Sequence, residues 1–241
     1  YWSREPDLMP LPVSSESAPV GDTTTATLIE VMTTLLEKPG GFLSNDIFPP
    51  GVLLDNIPAW EYGVLIQVRD LTRVMRESLS RSQSQSQEDP DLAKAEPRLN
   101  FSNNSWMVPA SESEYRDGIR HLQRYRDRLN DSRDSQSQFY ARADNLRYWL
   151  ATVESRLGSL SQRLSASVGQ RRFNTDLAND SMAKQSTSAP REIVVKTPWL
   201  EVDDVFYEAR GATWALIHFL RAIEVDFADV LQNKNARVSV Q

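Results

Sequence analysis

Phe139, Ala143, Leu146, Leu150, Val153, Leu157, Leu160 and Leu164 succeed one another at alternating steps of four and three residues. On an α-helix this rhythm places all of them on one seam, because its mean step lies close to the helical turn. A second run, Val202, Phe206, Ala209, Thr213, Leu216, Leu220, Ile223, Phe227 and Val230, repeats it. Two long helices with apolar seams must bury them, most simply against each other. The expected class is therefore all-α, a multi-helix bundle with two long heptad-patterned helices and long irregular loops.

Charge and composition narrow the function. The chain carries 33 acidic and 27 basic residues, a net charge of −6, which argues against a nucleic-acid binder that must neutralise phosphates with clustered positive charge. With no cysteine, disulfides, thiol nucleophiles and thiolate metal sites are excluded, and the redox compartment stays open. No apolar stretch approaches the roughly 20 residues of a membrane span; Ala212–Leu220 is interrupted by His218 and followed by Arg221, and reads as core.

Along the chain, residues 1–21 form a proline-rich lead, with Tyr1 and Trp2 ahead of Pro6, Pro10, Pro12 and Pro19. Adjacent Tyr and Trp suit a membrane–water interface and the prolines suit an extended stalk; a disordered terminus with two chance aromatics is the other reading. Residues 22–241 read as a single helical domain. A first helix starts near Asp22 or Thr23, both good caps, and stops at Pro39-Gly40-Gly41. The loop from Phe42 to Ile57 carries enough apolar residues to pack down, and Pro58 opens a second helix. Polar connectors fall near 80–111 and 169–198; the first includes the Ser-Gln tract that begins at Arg81, with an echo at Ser132–Gln138. Ser111 and Glu114 match a capping box that opens a third helix. The first seam predicts a long helix over about 136–168. Ile193-Val194-Val195 is thin evidence for a strand. Pro198 and the Asp203-Asp204 pair launch the final helix. Five helices are expected in all.

Catalytic patterns are missing. The residues three before His121 and His218 are Gly118 and Ala215, so the paired Glu-x-x-His motifs of a bundle-core di-metal site do not occur. His121 sits at a seam boundary, and His218, in the most apolar part of the last helix, reads as a hydrogen-bonded core residue. Neither a nucleophile elbow nor a phosphate loop is present. No cofactor is expected, and the balance leans against an enzyme. The carboxylates Asp203, Asp204, Glu224, Asp226 and Asp229 could in principle serve acid–base work in a cleft, but their spacing is what a solvated face or a first-turn dipole partner produces, and that is the preferred reading. Arg116, Arg120, Arg124 and Arg128 form a basic stripe at steps of four. It would suit anionic head groups or an acidic partner, or it is an exposed face balanced by Asp117, Asp127 and Asp131.

The residues left as a candidate ligand or partner surface are Asn45, Asp46, Asp55, Asn56, Trp60 and Glu61 around the 42–61 loop, with Trp106 and Trp199 as aromatic anchors.

Four stretches carry a resemblance: Gly40–Gly51 leading into Asp55–Gly63, the Ser-Gln tract from Arg81, Gln138–Leu146, and Asp203–Gly211. Together they resemble domain-of-unknown-function family 2333, proteobacterial proteins that look like single-span proteins with their bulk outside the inner membrane. The resemblance covers most of the chain and implies a transmembrane helix ahead of Tyr1, a periplasmic location, and a continuation past Gln241. It implies no activity, substrate or site residue. The resulting expectation is a non-enzymatic envelope protein, a helical interaction or scaffold domain for an envelope partner or for itself. The alternative is a small-ligand sensor or enzyme with its site near residues 42–61.

Overall fold

Pro39 and the glycines after it end the first helix as expected, but the start of that helix is built differently. In the computed structural model, which describes residues 2, 4–12, 18–49, 51–81, 87–131, 133, 137–173, 192–234 and 236, α1 spans Asp22–Glu37. Its N-cap is Gly21, at φ +94°, rather than Asp22 or Thr23. Glycine has no side chain to cap with, so the cap arrives from the far end of the chain. Asp226 Oδ2 accepts hydrogen bonds from the backbone N–H and the hydroxyl of Thr24, at 2.7 and 2.6 Å. Asp22 itself is buried and accepts from Arg126 Nε at 2.7 Å and Asn130 Nδ2 at 2.7 Å.

The described residues are predominantly helical, with six further helices: α2 (Asn56–Val74, prolonged by a π turn over Met75–Leu79), α3 (Leu92–Leu99), α4 (Ser111–Asn130), α5 (Ala143–Ser167), α6 (Val202–Asp226) and α7 (Ala228–Asn233). A two-stranded antiparallel ribbon, β1 (Gln170–Phe173) with β2 (Glu192–Val195), pairs Gln170 with Val195 and Phe173 with Glu192. The all-α class therefore stands, with seven helices among the described residues where five were expected. The two additions are α3 and α7. Leu92, Ala95 and Leu99 bury one face of α3, and Asp89 caps it by accepting from the N–H groups of Asp91 and Leu92. Pro90 just ahead of it and Pro97 inside it are why the segment reads from sequence as part of a polar connector.

Two further boundaries differ. Long helix α5 begins at Ala143, not near 136, because the N–H of Tyr140 is committed to the carbonyl of Leu79 and Asn145 Nδ2 bonds the Ser78 and Tyr140 carbonyls. Phe139 is still buried, stacking edge to face on Phe227. The capping box at Ser111 does not form: Ala110 is the N-cap, and the Ser111 hydroxyl reaches back to the carbonyls of Ser102 and Ser105. The Ser82–Ser86 core of the Ser-Gln tract, most of its echo, the connector over 174–191, Tyr1, residues 13–17 and Gln241 lie outside the described residues.

The core is contributed by Leu28, Val31, Met32 and Leu35 of α1, Trp60, Val64, Val68 and Leu71 of α2, Tyr115, Leu122 and Tyr125 of α4, and Ala215, Phe219 and Ile223 of α6. Helices α2 and α6 cross closely, with Trp60 against Trp214 at 5.2 Å between ring centroids. The broad buried face of α6 includes Gly211, Ala215, His218 and Ala222, so its burial follows a 3.6-residue period; Phe206 and Thr213 of the heptad line are exposed. The α5 seam is split in the same sense. Leu146, Val153 and Leu160 are buried, whereas Ala143, Leu150, Leu157 and Leu164 are exposed. The chain enters along α6: Arg210 pairs with Glu5, and the N–H of Met9 donates to His218 Nε2 at 3.0 Å.

Candidate functional site

Most of the polar residues in the 42–61 loop hold the loop itself. Glu61, projecting from the second turn of α2, is completely buried with Lys38 from the end of α1. It accepts from the backbone N–H groups of Leu43 and Ser44 at 2.9 and 2.8 Å and from the Ser44 hydroxyl. Burial pushes its carboxyl up, and Lys38 with the loop donors pulls it back. Asn45 is buried and donates to the carbonyl of Ser105 at 2.9 Å and to Glu112 at 2.7 Å, tying this loop to the one before α4. Trp60 is core, and Asp46 is exposed. Only half of the loop packs down: Phe42 and Leu43 are buried, but Ile47, Phe48, Val52 and Leu53 face solvent. Around a buried carboxylate the chain has to turn inward, and the tip it leaves outside has nothing to pack on. Trp106 is half-exposed on the separate loop between α3 and α4.

Two of the expected residues do share a concavity. Asp55, the N-cap of α2, and Trp199, in a short 3-10 turn over Trp199–Glu201, line a groove of about 670 Å³ together with Leu164, Ser167, Leu200, Val202, Asp203 and Phe206. The groove is formed where the last turns of α5 meet the first turns of α6. Trp199 is 84% exposed, Leu200 76% and Phe206 49%, a concentration of large apolar surface that isolated domains seldom leave open. Asn56, the remaining member of the expected set, opens α2 beside it.

The rim of the groove is acidic. Asp55, Glu201, Asp203 and Asp204 gather there, and none of the four forms an ion pair among the described residues. Partial burial pushes the Asp204 carboxyl up, and the Asp203, Asp55 and Glu201 charges push it further. Leu200 and Leu164 were not singled out by sequence reading; the signal available was adjacency to Trp199 and the end of a seam.

The arginine stripe of α4 mostly makes internal ion pairs. Arg128 binds Asp89 and Asp91, His121 Nδ1 lies 3.0 Å from Asp91 Oδ1, and Arg120 pairs with Asp117. His218 is buried and neutral in character: its Nδ1–H donates to the Trp214 carbonyl at 2.7 Å while Nε2 accepts from Met9, and burial lowers its pKa. Among the described residues no group of His, Asp and Glu is arranged to hold a metal ion, and no helix is long and apolar enough to cross a membrane.

Over residues 1–241 the chain matches a family described as an uncharacterized protein conserved in bacteria, DUF2333. The chain belongs to this family. No curated protein and no solved structure matches it.

Proposed function

We propose that this domain is a helix-docking module of the bacterial envelope, whose groove receives a basic amphipathic helix of a partner protein. The single observation that carries the reading is the coincidence of exposed Trp199, Leu200 and Phe206 with four unpaired carboxylates around them. An apolar groove selects a helix by its i, i+3, i+4, i+7 anchors, and the acidic rim selects lysine or arginine beside them. A lipid surface is the poorer match, because anionic head groups would meet like charge. The polar residues of the 42–61 loop are occupied in holding that loop, which disfavours a ligand site there. The family resemblance adds attachment to the inner membrane through a helix ahead of Tyr1, with the domain in the periplasm. Reporter fusions that translocate only when joined to the full-length protein, and fractionation with the inner membrane, are the expected results for that part.

The docking test uses the purified chain and a labelled synthetic peptide with leucine at heptad a and d positions and lysine elsewhere, against its glutamate counterpart. The lysine peptide is expected to bind saturably, less tightly as salt rises. Trp199→Ala, and separately Asp203→Lys with Asp204→Lys, should each weaken it by about tenfold or more. Equal binding of both peptides, or binding untouched by these substitutions, overturns the reading.

A further inference from the structure

A second concavity lies on the opposite chemical footing. One face of α2 (Ile66, Arg69, Asp70, Arg73) continues into Arg76 of the π turn and meets Ala93, Glu96, Pro97 and Asn100 of α3 and Arg156 of α5 around a cleft of about 590 Å³. Four arginines and two carboxylates line it.

The charges do not cancel evenly. Arg76 is outweighed by Glu96, Glu88 and Glu77, which leave a negative surplus at that end of the cleft. Arg156 grips Asp70, at 2.6 and 3.1 Å, and Arg73 shares the same carboxylate at 3.3 Å. One aspartate therefore serves two guanidinium groups. Arg69 has no carboxylate among the described residues: it donates to the carbonyls of Leu99 and Phe101, at 2.9 and 2.7 Å, and to the Tyr115 hydroxyl at 3.3 Å. That hydroxyl stays neutral, because burial pushes its pKa up to about 12. Arg69, Arg73 and Arg156 together carry two charges more than Asp70 returns. In addition, Arg73 Nε is fully buried and has no hydrogen-bond partner, although a buried donor left unmade is destabilising by about 1–3 kcal/mol.

The geometry points to a binding site for a phosphate monoester group in this cleft. Arg69 and Arg73 are one turn apart on a single helix face, the spacing at which two guanidinium forks can converge on one anion. To Arg69, Arg73 and Arg156, which have one carboxylate among them, a phosphate monoester brings about two negative charges and three acceptor oxygens, where a carboxylate brings one charge and two oxygens. Ile66, Ala93 and Pro97 give the cleft an apolar wall and room for the organic part of such a ligand. The site is independent of the docking groove: it shares none of its residues.

Isothermal titration of the full chain with inorganic phosphate, phenyl phosphate and acetate at matched ionic strength tests this. Saturable binding of both phosphates, tighter for phenyl phosphate and absent for acetate, is expected. Arg73→Gln removes only a contact that Arg156 also makes to Asp70, and should weaken phosphate about tenfold; Arg116→Gln, on the exposed face of α4, should leave it unchanged. Should Arg73→Gln fail to fold, Arg73→Lys keeps the charge without the fork and is expected to lose part of the affinity. Vesicles containing phosphatidic acid separate the sources: capture of the protein assigns a lipid phosphate, and binding of phenyl phosphate without capture assigns a soluble one. No saturable phosphate binding, acetate binding equal to phosphate, or affinity unaltered by both Arg73 variants overturns the proposal.

Discussion

Gly63 of α2 and Gly211 of α6 each let the backbone of the facing helix come close, Gly63 against Glu208 and Ala212 and Gly211 against Trp60. A Cβ on Gly63 would stand 2.0 Å from the carbonyl oxygen of Glu208, and one on Gly211 would stand 2.0 Å from that of Trp60. Both obstacles are main chain on the facing helix, so neither can rotate aside. Gly63→Ala and Gly211→Ala should each destabilise the fold by about 3 kcal/mol or more, at or beyond the usual range for overpacking. Gly158→Ala is the control: nothing lies within 4 Å of its Cβ position on α5, and it should stabilise by about 0.5–1 kcal/mol through helix propensity. Urea unfolding of the three variants checks the signs.

Lys38 and Glu61 are a fully shielded ion pair. Lys38→Met would leave the Glu61 carboxylate uncompensated among its loop donors and should destabilise by about 3–5 kcal/mol. Adding Glu61→Gln should recover part of that loss, because an amide buried without a partner charge is the smaller penalty. A double-mutant cycle by chemical denaturation measures the coupling.

His218 gives the chain's entry segment a pH dependence. Its folded-state pKa is lowered by burial, so the unfolded chain binds the proton more readily. The stability it contributes is complete above the unfolded pKa of about 6.5 and falls as pH drops from there toward the folded pKa. Protonation also takes away the Nε2 lone pair that accepts from Met9. The protection factor of the Met9 amide, its exchange rate corrected for the intrinsic pH dependence, should therefore fall between neutral pH and about pH 5, and His218→Gln should remove this part of the pH dependence.

Asp226 caps α1 from a distance of 202 residues in sequence. Asp226→Ala should destabilise by about 1–2 kcal/mol, in the range of lost N-caps, and should raise hydrogen exchange first over Asp22–Thr25.

Much of the architecture is legible from local pattern. Pro39-Gly40-Gly41 ends α1, Pro58 sits in the first turn of α2, and the apolar steps of α5 and α6 identify two long helices. The misreadings share a cause. Proline at 90 and 97 hid α3, whose cap is the side chain of Asp89. Ser111 looked like a cap by spacing, but its hydroxyl is held by carbonyls of a loop that folds back onto it. Of the eight residues singled out for a surface, Asp55 and Trp199 meet in one groove. Asn45 and Glu61 turn inward instead, because a loop of this length must find internal partners for its polar groups.

By itself the sequence determined that the chain is helical, where its long helices run, and that its apolar residues suffice for a core. Those are local consequences of the 3.6-residue turn and of chain stoppers. The tertiary structure alone decided which half of the α5 seam is covered, that Gly63 must lie against the Glu208 carbonyl and Gly211 against that of Trp60, that Asp226 must reach Thr24, and that Arg69 meets backbone carbonyls instead of a carboxylate. Each of these depends on which faces are brought together, and a heptad pattern is equally satisfied by any apolar partner of the right spacing.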